Sequence, residues 1–192
     1  GISINEGLPS WNKIVENLLD NQDCDIEKAS SFKAALSDDV MSPLEILEKI
    51  KKHRKYVLES FEKNLNIENS ESEIFKMLGN ISKRFITTNF DKLIEQNTNI
   101  KLVITQESSY NLSKVDTNDN YIIKIHGDLD RLDSCIIFED QYKDLYENDK
   151  LATFQLKKLI SQYNFLFIGF SFNDPYVNEL FQLISNLMDG FG

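Results

Sequence analysis

Cysteine is nearly absent from this chain of 192 residues: Cys24 and Cys135 are the only two, and they lie far apart. Such a pair makes neither a CxxC redox motif nor a four-cysteine zinc site, and both are expected to be plain reduced thiols in a cytoplasmic protein. Histidine is as scarce, with only His53 and His126. No apolar run approaches the ~20 residues of a membrane-spanning helix, and the chain lacks a signal peptide's basic-then-apolar start. Basic charge is also short: 21 Lys and Arg against 31 Asp and Glu leave a formal charge of −10, which disfavours nucleic acid as a partner. The densest basic run, Lys49–Lys55, sits inside a helical pattern and reads as a solvated helix face with His53 exposed. With no repeat and no low-complexity linker, residues 1–192 are expected to form one domain with a real core. A chain beginning Gly1-Ile2-Ser3 without methionine is expected to be a fragment of a longer protein.

The first part of the sequence is helical in pattern. Ser10 is placed to cap a helix carrying Ile14, Val15, Leu18 and Leu19 on one face. A second helix is expected over Ile26–Leu36. Ser42-Pro43 opens a third, whose pattern continues to Asn64, and Ser72–Leu78 makes a fourth, closed by Gly79-Asn80. The character then changes. Strands are expected at Arg84–Thr87, Lys101–Thr105, Tyr121–Ile125 and Phe165–Gly169, with a further short one at Ile136–Phe138. Helices are expected at Asp91–Gln96, Glu139–Glu147, Leu151–Gln162 and from Asp174-Pro175 to Met188, and Tyr110–Asn120 reads as a polar excursion. A helical insert before Phe85 followed by alternating elements predicts an α/β fold, a Rossmann-like parallel sheet flanked by helices.

Polar clusters follow three of these strands: Thr87-Thr88-Asn89-Phe90-Asp91, His126-Gly127-Asp128 and Gly169-Phe170-Ser171. The carboxyl ends of parallel strands form the ligand crevice of an open sheet, so Asn89, Asp91 and His126 are expected to share a pocket. An imidazole there takes or gives a proton near neutral pH, or else hydrogen-bonds its own loop. Asn89 suits a ribose hydroxyl or a water, and Asp91 accepts two hydrogen bonds, as from a carboxamide; alternatively either merely caps the following helix. Gly1-Ile2-Ser3 and Gly7-Leu8-Pro9 are glycine turns ahead of helices, which let backbone amides approach a phosphate.

Together these pieces resemble the sirtuin-like superfamily, and more closely its bacterial branch of NAD-consuming anti-phage defence domains. Gly1-Ile2-Ser3 is similar to the end of the family's Gly-Ala-Gly-x-Ser loop, and Gly7-Leu8-Pro9-Ser10-Trp11 to the segment after it. Thr88-Asn89-Phe90-Asp91 resembles the Gln-Asn-Ile-Asp motif, His126-Gly127 the catalytic His-Gly, and Gly169-Phe170-Ser171 the later Gly-x-Ser. The resemblance implies NAD as substrate. It places Gly1, Ser3, Gly169 and Ser171 toward the dinucleotide, with Trp11 and Thr88 among the residues that bind it. Asp91 then faces the nicotinamide carboxamide, Asn89 the ribose or a water, and His126 serves as general base. It further implies a homo-oligomer in the full-length protein and a sensor outside this segment. Deacylating sirtuins carry a four-cysteine zinc module and an Asp-Phe-Arg segment where Ser10, Trp11 and Asn12 stand here. Hydrolysis to nicotinamide and ADP-ribose therefore leads, with no metal expected. A zinc-free deacylase or ADP-ribosyltransferase and a non-enzymatic binder of NAD or ADP-ribose are the alternatives. A generic dinucleotide fold would need a strand-end acid about twenty residues after its glycine loop, and Asp20 and Asp23, near that distance, are expected at the end of a helix.

Overall fold

The computed structural model describes residues 1–21, 25–148, 150–170, 176–178, 181–182 and 185. Cys24, Asp23, Ser171 and the expected cap Asp174-Pro175 lie outside the described residues.

The N-terminal helices form for local reasons. After α1 (Ile2–Asn5), α2 (Trp11–Asp20) starts where the Ser10 hydroxyl accepts from the Lys13 amide at 3.2 Å. Its Ile14, Val15, Leu18 and Leu19 are buried. α3 spans Ala29–Ser37, and α4 (Pro43–Lys49) opens with a capping box between Ser42 and Glu45. The single helix expected from Leu44 to Asn64 is instead two. A 3-10 turn over Lys51–His53 leads into α5 (Arg54–Leu65), so that both pieces pack on α2 where one straight rod would cross it once. His53 in that turn is half-buried, against the expected exposure. α6 (Glu73–Ile81) is capped by Ser72 and runs through Gly79, its expected stop. Gly79 serves packing there: a Cβ would stand 2.8 Å from Cγ2 of Thr98.

Three short strands, β1 (Arg84–Thr87), β2 (Val103–Thr105) and β3 (Tyr121–Lys124), form one parallel sheet in the order β1-β3-β2. α7 (Leu93–Asn97) and α8 (Ser109–Leu112) occur in the crossovers, and α9 (Glu139–Glu147) and α10 (Leu151–Gln162) follow. Alternation along β3 splits the core in two. Ile122 joins the insert helices on one face, while Tyr121 and Ile123 join Ile104, Leu145 and Leu156 on the other. A parallel sheet covered on both faces is the expected Rossmann-like arrangement.

Two expected strands are absent. Ile136–Phe138 forms no ladder because its amides are already engaged: Ile136 N–H donates to the His126 carbonyl at 2.7 Å, and those of Ile137 and Phe138 donate to Oε1 of Gln141. Residues 164–168 run irregularly, with Leu166 71% exposed, and no ladder partner stands beside them among the described residues. An apolar run without a neighbouring strand has nowhere to place its backbone hydrogen bonds.

Candidate active site

The three strands end level. Thr87 is paired in register with Lys124, and Lys124 with Thr105. Everything C-terminal to those residues therefore emerges at one edge of the sheet, and the loops 88–91 and 125–129 are joined there. The Ile125 amide donates to Thr87 O at 3.0 Å and the Leu129 amide to Phe90 O at 3.4 Å. Into the first loop comes α1. Oγ of Ser3 donates to Oδ2 of Asp91 and accepts from Nδ2 of Asn89, both at 2.9 Å. Ser3 and Asp91 are buried, and Asn89 is exposed. Three sequence-predicted residues from two distant segments thus form one polar knot. Oδ1 of Asp91 also accepts from the Leu93 amide at 3.1 Å, so the helix-capping alternative is realised alongside the knot.

Gly1 lies against Gly169: a Cβ on Gly1 would stand 2.8 Å from the Gly169 carbonyl. This brings the start of the chain to the third polar step, whose Ser171 is not described. Thr88 is half-buried between Thr87 and Asn89. Trp11 turns its indole to the core, with ring centroids 5.1 Å from Phe61 and 5.9 Å from Phe90, so it braces the Asn89–Asp91 loop from behind. Asp20 is at the end of α2, ion-paired to Lys33, which removes it as the strand-end acid a generic dinucleotide fold would need.

His126 is 2% exposed. Its Nε2 lies 2.7 Å from the Tyr146 hydroxyl, and its ring meets Tyr142 edge-on at 4.9 Å. Tyr176 stacks on both tyrosines, at 5.4 and 5.8 Å. Sequence reasoning missed this cage. Its one signal was two tyrosines four residues apart in the Glu139–Glu147 helix, which places them on one face. Gly127 supplies the turn after the histidine, at φ +105°. Cys135 is free and buried, its thiol pushed up to about 12, chiefly by burial.

Burial pushes the imidazole of His126 down to about 3, so the ring is neutral at physiological pH. The unfolded chain takes up this proton near pH 6.5 and the folded chain only near 3. The resulting stability is present above pH 6.5 and lost as pH falls toward 3, at up to about 1.4 kcal/mol per unit. Urea unfolding of the native chain and of His126→Phe should show it. The native chain is expected to lose about 1.5 kcal/mol more than the variant between pH 6.5 and 5. Equal losses would mean that the imidazole is hydrated in solution.

Comparison with known proteins supports the fold. A family model described as the SIR2-like domain matches residues 83–190, from β1 through the His126 loop and beyond. The chain is 28% identical over 196 residues to a protein of Cytobacillus dafuensis named NAD(+) hydrolase ThsA, covering 98% of this chain and 37% of that protein. A protein of the same name from Enterococcus faecium is 28% identical over 193 residues, covering 94% and 37%. Defense-associated sirtuin 2 of Bacillus subtilis is 26% identical over 120 residues, covering 58% of this chain and 12% of that protein. The chain thus spans little more than a third of the length of the NAD(+) hydrolases it matches. With more than half of its residues inside the family match and the sheet ending at the motifs that prompted the resemblance, the chain belongs to the SIR2-like family.

Proposed function

We propose that this domain hydrolyses NAD at the nicotinamide–ribose bond. The observation that carries the reading is the Ser3–Asn89–Asp91 knot standing at the same sheet edge as the loop of His126. The relatives named NAD(+) hydrolase, which align along almost the whole chain, support it. In the reaction the C1′–N bond breaks and nicotinamide leaves with the bonding pair. Water adds its oxygen to C1′, and its proton is released through His126. The oxocarbenium-like transition state gains mainly from positioning and from the negative charge of Asp91 beside it. Each oxygen of Asp91 keeps capacity for a second hydrogen bond, from the carboxamide. Asn89 orients the ribose hydroxyl or the water. Gly1, Ser3, Gly169 and Ser171 line the dinucleotide, with Thr88 at its rim and Trp11 behind the loop.

The described conformation is a closed one, since Tyr146 occupies Nε2 of His126. Displacing Tyr146 admits substrate and hydrates the ring, which returns its basicity toward the ordinary range. The domain works within a longer bacterial, cytoplasmic, oligomeric protein that depletes NAD in anti-phage defence, its trigger and sensor lying in other segments. The test is incubation of the full chain with NAD, following nicotinamide and ADP-ribose by chromatography. Both products are expected from the native chain. O-acyl-ADP-ribose or labelled protein would point to transfer instead, and tight binding with no turnover to a sensing domain. Because the chemistry asks only for a positioned water and side chains of the protein, treatment with a chelator should leave the rate within about twofold. Loss of activity restored by one added metal would replace this scheme with a metal-assisted one.

A further inference from the structure

Lys124 is the last residue of the central strand, and it is fully buried. Lysine is almost never found so unless its charge is paired. Its ammonium donates to the Asp91 carbonyl at 2.7 Å and to the Phe90 carbonyl at 3.1 Å, and it is ion-paired with Oε1 of Glu95 at 2.5 Å. Oδ1 of Asp128 adds a second negative charge at 3.4 Å. Glu95 gives little back for stability, because burial raises its carboxyl pKa more than Lys124 lowers it. The two carbonyls are the informative contacts. They belong to the loop whose side chains make the knot with Ser3, and the Asp128 contact comes from the loop that follows His126. One cation therefore ties both polar loops to the end of β3.

We infer that Lys124 is a positioning residue: its ammonium clamps the backbone of residues 90 and 91 and so sets Asn89 and Asp91 relative to His126. The inference deepens the hydrolase reading and rests on it for its catalytic consequence. The clamp itself has a readout that needs no turnover. Beside its carbonyls are two amides held by side-chain acceptors of this same segment, Asn89 N–H on Oγ1 of Thr87 and Leu93 N–H on Oδ1 of Asp91. Their hydrogen exchange reports whether the loop is held.

Lys124→Met alone would strand the Glu95 carboxylate, so the decisive variant is the double Lys124→Met/Glu95→Gln, which removes the closer pair of charges together and leaves Oδ1 of Asp128 to the Asp130 amide. Replacing a buried pair by neutral groups of similar volume leaves stability roughly unchanged. Glu95→Gln alone keeps the ammonium on both carbonyls, with Asp128 to balance it. In the full chain the double variant should melt near the native temperature. Its Asn89 and Leu93 amides should exchange about tenfold faster while α10 stays as in the native chain. Its kcat for NAD cleavage should fall about 100-fold with KM held within about threefold. Glu95→Gln should keep exchange and kcat within about threefold. Unchanged exchange at both amides, or exchange raised equally in α10, overturns the clamp, as does a double variant with native kcat. If the native chain cleaves no NAD, the exchange arm still decides the clamp, and it is the hydrolase reading that fails.

Discussion

His126→Ala is expected to lower NAD cleavage by about 1,000-fold, within the range that a positioned acid–base group supplies, while the protein stays folded. The expectation follows from scarcity as much as from geometry. His53, the other imidazole, lies in the 3-10 turn between α4 and α5, and no other residue type in the loops at this sheet edge titrates near neutral pH without perturbation. Asn89→Ala should cost a similar factor, because the carboxamide that orients ribose or water then disappears from the Ser3 knot. Rates of both variants against the native full chain, with circular dichroism to verify folding, make the check. Turnover retained in both would sink the site assignment and leave the family placement intact.

The second large effect is on structure. Gly127→Ala should destabilise the chain by about 3 kcal/mol or more, as strained backbone and overpacking add together. At φ +105° a side chain is already disfavoured, and a Cβ would sit 2.3 Å from the Ser134 carbonyl and 2.7 Å from Cα of Cys135. Those are backbone atoms of a buried segment that in turn donates the Ile136 amide to the His126 carbonyl, so relief must move the histidine. Gly7 provides the control. Its φ is +92°, yet nothing lies within 4 Å of a Cβ there. Gly7→Ala should therefore cost only the conformational part, about 1 kcal/mol. Thermal melts of the two variants separate crowding from backbone strain. Equal losses would show that the approach to Ser134 relaxes freely.

Much of this was legible in the sequence because short-range physics wrote it there. Ser10 and Ser42 announce their helices through a hydroxyl and, at Ser42, a proline beside it. Arg84–Thr87 and Tyr121–Ile125 read as strands from their β-rich composition, and the polar steps after them fall where a parallel sheet opens. What escaped depended on partners far along the chain. Phe165–Gly169 has strand composition, but pairing is a property of neighbours and not of composition. Lys124 is, by composition alone, one residue of a strand. The available signal was a lysine in an otherwise apolar run, in a strand that a parallel sheet buries on both faces. The covering of His126 by Tyr146, with Tyr176 stacked behind it, joins segments far apart in the chain, and no local pattern encodes it. Gly79 misled for the opposite reason: a strong local breaker was overruled by close packing against Thr98.

The knot at Ser3 has a direction. A carboxylate can only accept, so the single hydroxyl proton of Ser3 goes to Asp91. Ser3 must then accept in turn, which obliges Asn89 to offer its NH₂ and to aim its carbonyl the other way. The wiring thus settles the orientation of a side chain whose two ends, a carbonyl and an NH₂, are nearly alike in shape. What it presents outward is a lone pair, matched to the hydrogen of a hydroxyl or a water and unwelcoming to another acceptor. Asn89→Asp, the smallest change in shape available, reverses that polarity. Two carboxylates would compete for one serine proton, and the neutral residue is the one form compatible with both neighbours.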